Sequence, residues 1–293
     1  MAAPTVLPLR RPWLAYLALT KPRIIELLLV TTVPAMVVAA SGWPGTGLVF
    51  ATVLGGALTA AGANVLNNVW DRDIDEKMNR TRHRPIPRGA VTPDRARWLG
   101  WGLGWAGAAL LWVAANPLAS AIAFSALLFY VFVYTRRLKR ATVQNIVIGG
   151  AAGAAPALVG WAAVTGRLDL PAWIMFAIVF AWTPAHFWAL ALRYTDDYAR
   201  AGVPMLPVVR GAADTVRRIS SYAATTVLFS LALVPVASMG WIYLGTAVVL
   251  GGWLLVDSVR LWRRPEQAMV FFLRSNRYLA GLFLAMMLDR LLA

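Results

Sequence analysis

Asn67, Asp71 and Asp75 recur every fourth residue in NNVWDRDIDEKMNRTRHRPIPRG, residues 67–89 of a 293-residue chain. On a continuing helix that spacing leaves successive side chains about 40° apart around the axis and roughly 6 Å apart along it, so the three share one face. Two carboxylates so placed repel by about 3 kcal/mol at an effective dielectric of about 20. Drawn to the centre of a bilayer, each would cost ~2.5–3.5 kcal/mol more. Something of opposite charge must compensate them. Hard oxygen donors along one helix face suit Mg²⁺, which keeps part of its water and is completed by substrate phosphate oxygens. The competing reading is a charge run paired internally on a solvated loop. It suits Asp73 and Glu76 better, with Arg72 and Lys77 beside them, because Asp73 lies about 160° around the helix from Asp71 and Asp75.

Arg80, Arg82, Arg84 and Arg88 follow at once. Guanidinium groups match phosphate oxygens bidentately, although lipid headgroups compete for the same side chains. Acids for a metal beside arginines for an anion describe a site for a diphosphate and its metal. Ionising an allylic diphosphate builds negative charge on the leaving group, which such a site stabilises. It also leaves a carbocation, which an apolar, water-poor cavity protects.

The elements that must hold these residues are membrane helices. The chain is 59% hydrophobic and 14% charged, with a mean hydropathy of +0.62, too apolar for a single soluble core of this length. A spanning helix needs roughly 20 apolar residues, and nine such windows can be cut: 24–42, 48–69, 97–115, 117–135, 143–164, 171–192, 219–239, 241–259 and 268–289. The expected fold is an all-α, polytopic nine-helix bundle forming one domain, 1–293. A segment 1–22 precedes the first span, and loops 70–96 and 193–218 carry the site. The run after Lys21-Pro22-Arg23 lacks a short apolar core ending in a cleavage site and reads as a retained span.

A net charge of +15 raises the question of nucleic acid, but the placement of the bases excludes it. Of 28 Lys and Arg residues, all but Arg167 and Arg290 fall before the first span or in and around alternate loops on one side, with Arg97, Arg274 and Arg277 just inside the adjoining windows. That asymmetry is the positive-inside signature: N-terminus and both acidic loops cytoplasmic, C-terminus outside, in the plasma (inner) membrane. With no cysteine, disulfides, thiolate metal sites and covalently attached haem are excluded.

A faint repeat runs through the chain. Span two leads into acids and then Pro85, Pro87 and Arg88-Gly89-Ala90; span six leads into Asp196-Asp197 and then Pro204, Pro207 and Arg210-Gly211-Ala212. Thr92 with Pro93, and Asp214, are the expected helix starts that follow. The repeat puts two acidic loops on one membrane face.

At this point the sequence resembles the intramembrane prenyltransferase superfamily of the UbiA type, whose hallmark N-x-x-x-D-x-x-x-D is met by Asn67, Asp71 and Asp75. WTPAHFWALALRYTDDYARAGVPMLPVVRG (182–211) and YTRRLKRATVQNIVIGG (134–150) make it similar, more narrowly, to the haem-modifying branch, the protohaem IX farnesyltransferases or haem O synthases. The resemblance implies a lateral, lipid-open cavity. It also implies Mg²⁺ as cofactor, and farnesyl diphosphate and haem b as substrates, with water added to the prenylated vinyl. Asn67, Asp71, Asp75 and Asp197 would be the catalytic and metal residues, and Arg23, Arg84, Arg88 and Lys139 the diphosphate contacts. A second D-x-x-x-D of the quinone-modifying branch is broken here, because Arg193 stands where the leading acid would be. Arg193 is then free for a haem propionate, and either Asp196 or Asp197 remains for the metal. Haem A synthase or terminal-oxidase assembly factors would be downstream partners.

His186, within an apolar helix, is either a haem-iron ligand or a neutral imidazole bonded to a neighbouring helix. His83 reads as a solvated bystander, and Glu26 as snorkelling or paired with Arg23. Trp13, Trp43 and Trp241 suit interfacial belts, whereas Trp182 and Trp188 are candidates for the cavity wall. Gly149, Gly150, Gly153 and Pro156 suit close packing with a kink. Two alternatives remain open. One is prenyl transfer to an aromatic quinone precursor or chlorophyllide, against which Arg193 and WTPAHFW count. The other is a transporter, whose charges should lie near the midplane rather than at one face.

Overall fold

The computed structural model describes residues 12–292, apart from the side chains of residue 12 and residues 23–29. The Arg23 and Glu26 side chains therefore lie outside the described residues. Every regular element described is helical: α1 Pro12–Thr20, α2 Pro22–Ala40, α3 Thr46–Trp70, α4 Arg72–Lys77, α5 Pro93–Ala114 and α6 Pro117–Leu128. A π-helical stretch, Phe129–Leu138, continues α6 into α7 Lys139–Ala141. Then come α8 Asn145–Thr165, α9 Leu170–Arg193, α10 Thr195–Arg200, α11 Leu206–Val236, α12 Trp241–Arg260 and α13 Ala268–Leu292.

Each of the nine apolar windows falls on one long helix. Six of these helices are long and apolar enough to cross a membrane: α3, Pro117–Ala141, α8, α9, α11 and α12. The other three, α2, α5 and α13, do not meet that measure among the described residues; α13 carries Arg274, Arg277, Asp289 and Arg290. Long helices adjacent in sequence pack on one another all round the bundle, and α13 closes the ring on α2. Small residues set the closest approach. A Cβ on Gly62 would lie 2.5 Å from Gly100 O, and one on Gly107 would lie 2.5 Å from Gly55 O, so α3 and α5 meet backbone to backbone.

Thr92 occupies the N-cap of α5 with Pro93 at its first position, as expected. Asp214 is not a cap. Gly211 breaks α11 with φ 75°, so the helix restarts before Asp214, which instead accepts from Arg218 Nε at 2.9 Å one turn on. Gly89, the counterpart of Gly211 in the faint repeat, also has a positive φ of 71°. Both Arg-Gly-Ala segments thus turn at their glycine, where a side chain would be strained.

The segment before the first span holds a helix that hydrophobic windows of spanning length do not reveal. α1 exposes Trp13, Leu14 and Leu17 and buries Ala15 and Leu19 against Val65 and Val69 of α3. Lys21, in the left-handed conformation, is the bend between α1 and α2.

Candidate active site

The helical register of α3 carries on through Asp71. Its N–H donates to Asn67 O at 2.9 Å, and the Asp75 N–H donates to Asp71 O at 2.8 Å. Asn67, Asp71 and Asp75 are therefore delivered at successive turns, as the spacing implies, and are 4%, 0% and 1% exposed. Burial at that level demands partners for every charge. Asn67 Nδ2 donates to Asp71 Oδ2 at 2.7 Å and to Thr135 Oγ1 at 3.1 Å.

Cations close over the acids from three elements. Lys139 Nζ lies 2.5 Å from Asp71 Oδ2, and Arg84 Nη1 donates to both oxygens of Asp75, at 2.9 and 2.8 Å. Lys21 Nζ donates to Asn67 Oδ1 at 2.8 Å. Burial, reinforced by the charge of Arg84, holds the Lys21 pKa well below the ordinary lysine range, against the opposing pull of Asp71 and Asp75. In the sequence Lys21 reads only as one more cytoplasmic base. A cluster of three asparagines in an apolar helix was the available signal: Asn64 Nδ2 donates to Thr20 O at 3.0 Å and Asn68 Nδ2 to Leu19 O at 3.1 Å. These bonds satisfy the last carbonyls of α1 and set Lys21 above Asn67.

Asp73 stays outside the cluster, but its partner is neither Arg72 nor Lys77. Arg140 grips it with two hydrogen bonds of 2.7 Å and pulls its pKa down to about 2. The same guanidinium donates to Trp70 O at 2.9 Å.

The second acidic loop reaches the first. Asp197, 5% exposed, accepts the Arg80 N–H at 3.2 Å and pairs with Arg200. Asp196 is exposed, as are Arg193, Arg88 and His83. The Arg80 guanidinium lies 5.3 Å from the Tyr194 ring centre, and that of Arg136 lies 4.2 Å from the Trp70 ring.

An apolar cavity of about 240 Å³ lies below the cluster along the same face of α3, lined by Gly56, Ala60, Ala63 and Asn64. Tyr130 and Tyr134 of the π-helical stretch, Gly149, Gly153 and Pro156 of α8, and Thr183 and Phe187 of α9 complete its wall. Gly149 admits the Tyr134 ring, since a Cβ there would fall 2.3 Å from Tyr134 Cδ2. His186 does not line this cavity. It stacks between Trp182 and Phe272, at 4.2 and 4.1 Å, with Nδ1 2.8 Å from Ser275 Oγ. Trp182 and Trp188 are likewise packed against other helices, Trp182 through Nε1 on Ser275 O and Trp188 edge-on to Tyr222. Periodicity places a residue on a helix but does not say which neighbour covers it.

Asp71 Oδ1 is buried and has no hydrogen-bond partner. Only the Arg140 guanidinium comes within ion-pair reach of it, at 4.0 Å, and a buried carboxylate oxygen that accepts no hydrogen bond, one helical turn from a second carboxylate and from an amide, fits a hard divalent cation. Among the described residues no three Asp, Glu, His or Cys side chains converge on one point, so Asp197 is not gathered with Asp71 and Asp75 into one carboxylate cluster. A cation there would need oxygen from a ligand.

The sequence profile of the UbiA prenyltransferase family matches residues 28–284. A Protoheme IX farnesyltransferase of Thermus thermophilus is 51% identical over 280 residues, covering 95% of this chain and 46% of that protein, so the chain spans about half of that relative's length. Proteins of the same name from Nocardioides sp. and Paenarthrobacter aurescens are 51% and 47% identical; the alignments cover 95% of this chain in each case, and 91% and 89% of theirs. Among solved structures, one of digeranylgeranylglyceryl phosphate synthase matches with a TM-score of 0.79 at 18% identity, over 96% of this chain and 99% of that one. A UbiA homolog from Archaeoglobus fulgidus bound to DMAPP and Mg²⁺ matches with a TM-score of 0.66 at 16% identity, over 92% and 98%. At those identities the structural likeness speaks for the fold. The profile match and the near-half identity together make this integral membrane protein a member of the UbiA prenyltransferase family.

Proposed function

We propose that the chain transfers the farnesyl group of farnesyl diphosphate to a vinyl group of haem b, with addition of water, giving haem O and diphosphate. The observation that carries the transfer chemistry is the buried cluster of Asn67, Asp71 and Asp75, capped by Lys21, Arg84 and Lys139, at the head of an apolar cavity. The acceptor and the prenyl length come from the relatives named Protoheme IX farnesyltransferase.

Arg84, Lys139 and Lys21 receive the phosphate oxygens, joined in this reading by Arg23 and Arg88. Their charge balances the charge that develops as the allylic C–O bond breaks and its electron pair leaves with the diphosphate. Asn67, Asp71 and Asp75 would hold Mg²⁺, which when bound would supply Lewis acidity toward that leaving group, and Asp197 would join them only if the second loop moves closer. The carbon end faces the cavity, where the aromatic faces of Tyr130 and Tyr134 stabilise positive charge and the Ala/Gly wall keeps water away. The haem vinyl π pair forms the new C–C bond. Water then takes the adjacent cationic carbon and releases a proton. Arg193, exposed at the end of α9, is the candidate partner of a haem propionate. The site opens to the cytoplasm in this reading, in the plasma membrane, with the C-terminus outside.

Purified protein incubated with haem b, farnesyl diphosphate and Mg²⁺ is expected to yield a haem heavier by a farnesyl group plus a hydroxyl. Unmodified haem, with prenylation of an aromatic quinone precursor instead, would move the assignment to the quinone branch.

A further inference from the structure

The amide of Asn67 has two ends of nearly the same shape, and only one of them is an oxygen. Which end faces the acidic site decides whether Asn67 helps or opposes a cation there. Its three contacts agree on one orientation: Nδ2 toward Asp71 Oδ2 and Thr135 Oγ1, Oδ1 toward Lys21 Nζ. A flipped amide would face its oxygen to the Asp71 carboxylate and its N–H groups to an ammonium.

Thr135 is the contact whose sign is not given by its chemistry, because a hydroxyl both donates and accepts. A proton directed at Asn67 would favour the flipped amide. That proton is committed elsewhere: Thr135 Oγ1 donates to Tyr130 O at 2.8 Å, five residues back. In an α-helix a threonine hydroxyl reaches the carbonyl three or four residues earlier. A reach of five belongs to the π-helical stretch Phe129–Leu138, and such stretches gather at functional sites. With its donor occupied, Thr135 presents Asn67 with a lone pair alone. Thr135 is 0% exposed and does not line the cavity, so it acts on the site through Asn67.

We propose that Thr135 is a positioning residue: held by the π-helical turn as an obligate acceptor, it locks the Asn67 amide with Nδ2 on Asp71 Oδ2 and its oxygen toward Lys21 Nζ, the end left for a cation that takes the place of that ammonium. This rests on the reading of Asn67 and Asp71 as cation ligands.

The test is Mn²⁺ binding to the purified protein, read by electron paramagnetic resonance in the presence of a thio-analogue of farnesyl diphosphate that does not ionise. Thr135→Val keeps the shape and removes the hydroxyl; Mn²⁺ affinity is expected to fall about 10- to 100-fold, the usual effect of losing a residue that orients a ligand. Thr135→Ser is expected to restore the wild-type value, which a purely packing role would not. Should Thr135→Val fail to fold, Thr135→Ala carries the same expectation. Wild-type affinity in a folded Thr135→Val or Thr135→Ala protein would overturn the inference, as would a Thr135→Ser protein as impaired as Thr135→Val. If wild type binds no Mn²⁺ at all, the cation reading itself falls and takes this inference with it. Loss confined to the variants leaves both standing.

Discussion

The backbone N–H of Arg80 donates to the Asp197 carboxylate at 3.2 Å, across 117 residues of chain. That bond ties the segment after α4 to α10, so the two acidic segments form one polar head over the cavity. Asp197→Ala leaves the Arg80 N–H without its partner, a loss of about 1–3 kcal/mol if the group stays buried. The expected outcome is faster hydrogen exchange across residues 78–88 together with reduced turnover. Unchanged exchange would mean that the loops are held by other contacts.

Asp71 and Asp75 are each charge-paired, and asparagine keeps the shape and a hydrogen-bonding oxygen of the carboxylate, so it tests the charge with the least change to packing. Asp71→Asn and Asp75→Asn are expected to lower kcat at least ~100-fold, the scale of losing one electrostatic element of a site. Both proteins should still elute as folded monodisperse species in detergent. A fully active Asp71→Asn protein would remove the metal assignment.

Asn64 and Asn68 hold the last two carbonyls of α1. Replacing both by Leu should release α1 and with it Lys21, seen as loss of amide protection over residues 12–20 and a raised KM for farnesyl diphosphate. Retained protection with a raised KM would place the effect elsewhere.

Gly149→Ala sets a Cβ 2.3 Å from the Tyr134 ring. Overpacking of this kind costs about 1–3 kcal/mol. A lower melting temperature and a higher KM for the prenyl substrate are expected, because the displaced ring has the cavity to move into. An unchanged KM would show that Tyr134 moves away from the substrate.

Asp73, with its pKa drawn down to about 2 by Arg140, stabilises the fold above its ordinary value of 3.8 and loses that contribution as pH falls toward 2. Asp73→Asn should therefore melt below wild type at neutral pH, and the gap should close between about pH 4 and 2. A gap that does not change with pH would exclude the ion pair as its cause.

The long helices were readable because spanning windows depend on apolar length alone, and Asn67, Asp71 and Asp75 because a four-residue spacing survives any packing. Lys21 was hidden by the same positive-inside rule that gave the orientation: it looks like every other cytoplasmic base until α1 docks. Thr135 carries no mark in sequence, since its role comes from a π-helical register that ordinary periodicity does not encode. His186, Trp182 and Trp188 sit on a helix that lines the cavity, and only tertiary packing shows that they face α11 and α13 instead. Asp73 is paired by a residue 67 positions away, beyond the reach of neighbour rules.

The most direct measurement is turnover of farnesyl diphosphate and haem b by protein stripped of divalent ions with a chelator, before and after Mg²⁺ is returned. Oxygen donors as deeply buried as Asn67, Asp71 and Asp75 predict no farnesylated haem without the ion and full recovery with it. Undiminished product in the stripped protein would contradict the account at its centre.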